Sequence, residues 1–492
     1  SGYGKIDGRI VFVYAFDFDN LLISGNTLTR CGALCTIQSS TGSISNNSFT
    51  CNTLSDATDK NAIYIHDESD ISVSENDILS ANAVGIQLNR NAKATVTDNK
   101  ITSTKTHGFL VSNGSELHAA GNSLSAIGGE AFALSDGSSG KILDNTVNSV
   151  TKHALYATTD CAIVFSGNQI DGVESEGARV LKQCTLTAEN NTLKNIDRFG
   201  FYVTDSSAVL RGNTIADTGN EKQAIRFENV PNGVIDGNTV SSSDQHGIAI
   251  KSCDGAKITN NTVSGTAKHG IHINVSTDVQ VFGNTVQNAG GYGLLIEGSD
   301  EDNYASAYIF NNSFSSKSSY ALRLGKYARS CVLANNKLSP EKPSYDATSS
   351  HTEHVRLFTD VLDSSKYYYK HVYWAADNGI ANGYDDGTFG YDKECTREQM
   401  MTFLWRMAGK PEPKSTVSKF SDVTKGAYYY KAVLWGVEKG ITNGYMSGEY
   451  AGKFGVGLPC TREQAMTFLW RMAGKPNPKT TSNPFPDMKS SD

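Results

Sequence analysis

The stretch NKITSTKTHGFLVSNGSELHAAG, residues 99–121, is one period of a repeat, and its reading decides the fold. It opens on Asn99, with the apolar Ile101 two places on. Gly108-Phe109-Leu110-Val111 follows and, after a turn, Leu117-His118-Ala119. These runs are three to five residues long, and Gly, Ser, Asn and Asp separate them, which is the pattern of short strands. No segment of helical length and period fits between the turns. The next period begins at Asn122.

The opening phrase, Asn then a small polar residue then an apolar one, recurs at Asn26, Asn47, Asn76, Asn99, Asn122, Asn145, Asn168, Asn191, Asn213, Asn238, Asn261, Asn284, Asn312 and Asn336. Seven of the thirteen intervals are 23 residues and the rest lie between 21 and 29, so the spacing is a structural period. Three short strands per period predict a mainly β fold, a right-handed parallel β-helix of about fourteen coils over residues 1–338. At ~4.8 Å per coil the rod is roughly 65–70 Å long. The recurrent Asn is expected at the turn after the second strand. There its amide can bond to the coils above and below and satisfy buried turn backbone.

An elongated repeat also explains the length, since 492 residues exceed one ordinary core. Hydrophobic residues at 38% and charged residues at 19% exclude a disordered chain. A net charge of −7 argues against a dedicated nucleic-acid binder, which would carry a basic face. No apolar run reaches 18 residues, so no transmembrane segment is expected. Ser1 does not open an export signal, so in an exported protein that signal is expected to have been removed or to lie outside this stretch. Nine scattered cysteines without a CxxC pair make neither a zinc site nor a disulfide framework. Cys161 and Cys184 lie one period apart, where either a disulfide or a stacked pair of thiols is open.

The repeat resembles the pectate-lyase-like right-handed β-helix superfamily, and most of all the β-helix-repeat proteins on or outside bacterial cells. That fold hosts lyases, hydrolases, epimerases, tailspikes and adhesins, so the resemblance implies architecture more than activity. It also implies that the strand opening nine positions after each Asn, and the loop leading into it, line the substrate groove.

Aligned on the Asn, one column reads Val84, His107, Glu130, His153, Glu176, Phe199, Gln223, His246, His269, Tyr292 and Tyr320. Four of ten histidines share that register. Outward neighbours on the strand include Tyr156, Arg179, Tyr202, Arg226, His272 and Arg323, and further on Glu228, Lys251, Asn274 and Glu297. A lyase or epimerase needs a base, a cation beside the enolate and an acid. Lys251, His246, His269, Arg226, Tyr292 and Glu228 are the candidate catalytic residues. His107, His153, His272, Tyr156, Tyr202 and Arg179 are the candidate carbohydrate groove. A hydrolase would use paired carboxylates, Glu228 with Glu297 or Glu130 with Glu176. The column is equally readable as architecture, with each His bonding a neighbouring coil's carbonyl, or as a sugar-stacking surface. No metal site is read; calcium is conceivable but has no acidic cluster to support it, and no cofactor is evident.

Residues 339–355, with Pro340 and Pro343, read as a linker. A second repeat then begins. FTDV at Phe358–Val361 returns as FSDV at Phe420–Val423 and as FPDM at Phe485–Met488. YYYK, GIxNGY and CTREQ, the last at Cys395–Gln399 and Cys460–Gln464, each recur once. Each unit reads helix, loop, helix, the second helix burying Met400, Phe403, Leu404, Met407 and Ala408, with Thr396 and Gln399 as a capping box.

This repeat resembles the S-layer homology domain, with units at 356–412 and 418–477 and the start of a third at 483–492. The resemblance implies non-covalent binding of secondary cell-wall polysaccharide. Arg397 and Arg462 would meet an acidic sugar, and Thr396 and Thr461 open the same motif; Glu398 and Glu463 stand where the family has Ala. The expected protein is secreted and held at the bacterial cell surface, presenting a rod that binds a polysaccharide or host glycan or acts as adhesin or spacer. The alternative reading is a polysaccharide lyase, epimerase or glycoside hydrolase with its groove on the rod.

Overall fold

A computed structural model describes residues 4–6, 9–29, 33–50, 61–354, 357–363 and 365–478. They divide between Glu353 and His354 into two compact units. The third S-layer homology repeat expected at 483–492 lies outside the described residues.

The first unit is a parallel β-solenoid of three long sheets. Sheet I has sixteen strands from Gly4–Ile6 to Ser344–Tyr345, sheet II fifteen from Leu21–Ser24 to His351–His354, and sheet III fourteen from Thr27–Thr29 to Lys337–Ser339. The chain visits I, II and III in turn, so each strand pairs with its equivalent one coil on, as Ile86–Asn89 does with Phe109–Val111. Gly4–Ile6 alone folds back antiparallel on Arg9–Phe16 among the described pairs of sheet I. The stretch read as a linker supplies two strands, Ser344–Tyr345 and His351–His354, which continue sheets I and II. Its two prolines do not prevent this, because both precede those strands.

Alternation explains the interior. In Lys93–Thr97 and Glu116–Ala120 the second and fourth residues are buried and the first and third exposed. Inward residues stack coil on coil, so Phe109 lies flat on Phe132 with ring centroids 4.9 Å apart.

Every ladder Asn stands between a sheet II strand and a sheet III strand. The backbone N–H of each donates to Oδ1 of the next at 2.9–3.1 Å through all thirteen steps. Asn168 shows the bonds between coils. Its Oδ1 accepts from the N–H and Nδ2 of Asn145, and its Nδ2 donates to Ile142 O and Asn191 Oδ1. The residue before each ladder Asn has positive φ in all fourteen coils, from Gly25 to Asn335, which is why Gly, Asn, Asp and Glu occupy it. At Gly167 an added Cβ would lie 2.0 Å from Asp144 Oδ1.

A second, shorter ladder runs at the turn between sheets I and II. Ser40 N–H donates to Ser69 Oγ, Cys161 N–H to Cys184 Sγ at 3.3 Å, Cys184 N–H to Ser206 Oγ, and Cys253 N–H to Ser276 Oγ. Cys161 and Cys184 are free thiols used as rungs.

The second unit contains two helix pairs: α1 (Tyr369–Asp377) with α2 (Arg397–Met407), then α3 (Tyr430–Glu438) with α4 (Arg462–Met472). Thr396 and Gln399 form the expected capping box on α2, whereas Thr461 makes no side-chain cap on α4. The buried face of α2 follows the spacing only in part: Leu404 is buried and Met400 packs against the core as expected. Arg397, Glu398, Met401, Thr402 and Leu404 are buried and Met407 is exposed. The helix is turned because it packs on α3, where a Cβ at Gly436 would lie 2.5 Å from Met401 Sδ.

Replacing Asn168 by Ala strands the N–H and Nδ2 of Asn145 and the carbonyl of Ile142. The rod should lose about 3 kcal/mol or more in urea unfolding of the full chain. Asn26→Ala, at an exposed ladder end, should cost under about 1 kcal/mol.

Candidate functional site

The column lies in the turn that enters sheet I, and its outward neighbours are in register along the sheet: Tyr156, Arg179, Tyr202, Arg226, Ala249, His272, Leu295 and Arg323. The candidates form three groups on this face.

The first is an alternating ion ladder. Glu130 pairs with His107 Nε2 at 3.0 Å, Lys152 Nζ at 3.4 Å and His153 Nδ1 at 3.6 Å. His153 Nε2 lies 2.9 Å from Glu176, which also meets Arg198 and Arg179. Glu130, His153 and Glu176 are buried. Burial opposes their charging, yet the ion pairs prevail. His107 and His153 hold the Glu130 carboxyl far below its ordinary value; His153 and Ser175 hold Glu176 at about 2; both glutamates raise His153. This pair of carboxylates is spent on the ladder.

In the second group Tyr202 donates to Glu228 at 2.8 Å, and Arg226 bonds the same carboxylate through Nε and Nη2. Burial works against the charge of Glu228, but Arg226 wins and lowers its pKa. The Arg179 guanidinium lies over the Tyr202 ring at 5.4 Å. Lys251 is exposed next to Glu228 in the register.

The third group is an aromatic stack. His246 lies on His269 at 4.9 Å, His269 on Tyr292 at 5.0 Å, and His272 leans against both histidines. Arg323 stands 5.7 Å over Tyr292, and His272 pairs with Glu297 at 3.1 Å. The column histidines do not donate to carbonyls. His246 Nδ1 accepts the N–H of His269, and His269 Nδ1 accepts the N–H of Tyr292. A neutral ring that accepts at Nδ1 carries its proton at Nε2, so each keeps one N–H donor. Burial, with the neighbouring histidines, lowers His246 to about 2; burial and His272 lower His269 to about 4. With Nδ1 engaged and Nε2 protonated, the two rings as placed here offer donors to a ligand.

Carboxyl groups in this unit whose pKa clearly departs from its ordinary value depart downward. A hydrolytic acid needs the opposite shift. Sequence reasoning passed over Lys152, Arg198, Lys222 and Lys268. All four stand one residue before the column, a signal the same alignment holds. A trough of about 500 Å³ crosses the outer face of sheet II, with Lys93, Glu116, His118 and Lys141 around it, and none of the candidate residues lines it.

In the second unit Arg397 is turned inward, 4% exposed. Its Nε donates to Phe454 O and its Nη1 to Gln464 Oε1, and its guanidinium lies over the rings of Tyr445, Phe454 and Phe468. Glu398 accepts the N–H of Gly457. Both residues fasten one repeat to the next, so Arg397 does not face an acidic sugar, contrary to expectation. Arg462 and Thr461 are exposed. A cavity of about 670 Å³ lies beside α2, lined by Tyr384, Tyr391, Lys393, Arg406 and Tyr428 among others. Asp360 accepts from Phe389 and Gly390 N–H and Asp422 from Phe454, Gly455 and Val456 N–H, so the Asp of the FTDV and FSDV motifs anchors the corresponding loop of each repeat.

The family model for the right handed beta helix region matches residues 7–124 and 153–314, and that for the S-layer homology domain matches 357–401 and 419–466. A cell surface protein of Thermoanaerobacter kivui is 33% identical over 121 residues, which is 24% of this chain and 15% of that protein's length. Among solved structures, the A-module of a mannuronan C-5 epimerase from Azotobacter vinelandii is 12% identical with a TM-score of 0.36, over 64% of this chain and 90% of that one. A periplasmic alginate epimerase is also 12% identical, with a TM-score of 0.38 over 58% and 78%. Likeness at that level carries no argument about activity.

The low histidine pKa values have a sign. Below about 6.5 the unfolded chain takes up protons that His246 and His269 refuse while folded, so stability falls as pH drops from about 6.5 towards 4. In thermal unfolding across that range, His246→Gln should flatten the slope relative to the parent chain. Below about 4.5 a second loss should begin as Glu130 and Glu176 are forced to protonate.

Proposed function

The chain belongs to the right handed β-helix family and carries S-layer homology domains C-terminal to it in sequence, and from this we propose that it is a wall-held surface protein whose sheet I face binds an anionic polysaccharide. The observation that carries the reading is the His246–His269–Tyr292 stack with Arg323 over its end. The rings cover one another's faces, so what the stack offers a polysaccharide is a row of ring edges with imidazole N–H and phenol O–H groups. Arg179 and Arg198 are paired with Glu176 and Arg226 with Glu228, so the cations that this face offers to carboxylate-bearing sugars are Lys222, Lys251 and Lys268. Catalysis is the weaker reading, because the histidines are committed as donors and the carboxylates as ion-pair partners.

Attachment is assigned to the cavity beside α2. Tyr384, Tyr391 and Tyr428 supply stacking surfaces and Lys393 and Arg406 the cations for a secondary cell-wall polysaccharide. Arg406 is braced by a bond from Nη1 to Ile380 O.

The test pairs binding with turnover. In affinity electrophoresis against polyuronates, Tyr292→Ala and Arg323→Ala should each weaken binding about 2- to 5-fold, since the loss of one hydrogen bond or cationic contact costs about 0.5–1 kcal/mol. Unsaturated or new reducing ends appearing in the same incubations would overturn the binding-only reading. In sedimentation with purified cell walls, Lys393→Ala with Arg406→Ala should release the chain, while Tyr292→Ala should leave that attachment intact.

A further inference from the structure

Two cysteines of the second unit occupy the same place in successive repeats, and the fold sets them against each other. The chain entering α2 runs antiparallel to the chain entering α4. Thr396 bridges Pro459, Arg397 N–H donates to Leu458 O at 3.0 Å, and Cys460 N–H donates to Cys395 O at 2.8 Å. This register places Cys395 directly opposite Cys460. Facing residues of an antiparallel pair carry their side chains on one side, and in a pair joined by a backbone hydrogen bond, as here, the Cα atoms are about 5.5 Å apart. A disulfide needs about 4.4–6.8 Å. Both thiols are free and partly exposed, whereas Cys35, Cys161, Cys184, Cys253 and Cys331 are buried in the rod.

We propose that Cys395 and Cys460 are a modification site: an oxidisable pair that closes into a disulfide across the two S-layer homology repeats. The oxidant class is a small disulfide. One cysteine thiolate attacks it, forming a mixed disulfide and releasing one reagent thiol. The second thiolate attacks the protein sulfur of that mixed disulfide and releases the other reagent thiol. The protein loses two protons and two electrons, and the reagent disulfide becomes two thiols. The bond ties the start of α2 to the start of α4, two residues from the socket that holds Arg397. Burial, with the charges of Cys460 and Glu398, pushes the Cys395 thiol up to about 11, so closure is slow at neutral pH and faster in alkali.

The full chain is incubated with oxidised glutathione at mildly alkaline pH, or with dithiothreitol, then alkylated and digested with trypsin. The expected product is Glu394–Arg397 joined to Phe454–Arg462, two hydrogens lighter than the separate peptides and absent after dithiothreitol. Thermal unfolding of the oxidised chain should show the second unit melting several degrees higher, and Cys395→Ser should abolish that shift. Glutathione carried separately on each cysteine, or both thiols still alkylated in a folded oxidised chain, would overturn the proposal. So would an equal shift in parent and variant.

Discussion

A single bond geometry governs the rod. The amide of each interior ladder Asn spans two neighbouring coils, accepting from one through Oδ1 and donating to backbone and side chain through Nδ2. It thereby satisfies turn groups that water does not reach. The spacing in sequence varies from 21 to 29 residues, yet the step from N–H to Oδ1 stays at 2.9–3.1 Å. Extra residues are therefore absorbed at other turns. The 28-residue coil places its surplus around Gly298–Tyr304, between the strands Leu294–Glu297 and Ala307–Phe310, where an exposed loop is wrapped around Asp300.

With the ladder turn held constant, the turn entering sheet I becomes a stack in which like positions meet every coil. Chemistry then follows from vertical neighbours. Where Glu and His alternate, an ion ladder forms; where His, His and Tyr follow one another, rings stack and the imidazoles cap the next coil's N–H. One histidine register thus serves two purposes. His153 is raised by carboxylates above and below it, while His246 is lowered by burial and by its histidine neighbours.

The second unit shows equal motifs meeting unequal surroundings. Thr-Arg-Glu-Gln occurs in both repeats. In the first, Arg397 enters a socket of three aromatic rings and a carbonyl supplied by the second repeat, and Thr396 caps its helix. In the second, Arg462 is exposed and Thr461 bonds Glu463 instead.

The period, the three strands per coil, the Asn turn and the two helical repeats were legible in the sequence because each is a local pattern repeated many times. The register of the sheet I column was legible too, since stacking at a fixed period aligns it. What each column residue does was not. The donor or acceptor role of an imidazole depends on the N–H of the coil beside it, and the ionisation of a carboxylate on partners 23 residues away. The buried face of α2, the inward turn of Arg397 and the meeting of Cys395 with Cys460 were likewise decided by how one repeat packs on the next. The chain order sets the composition of each surface, but only the packed structure sets which surfaces touch and which charges they leave in water.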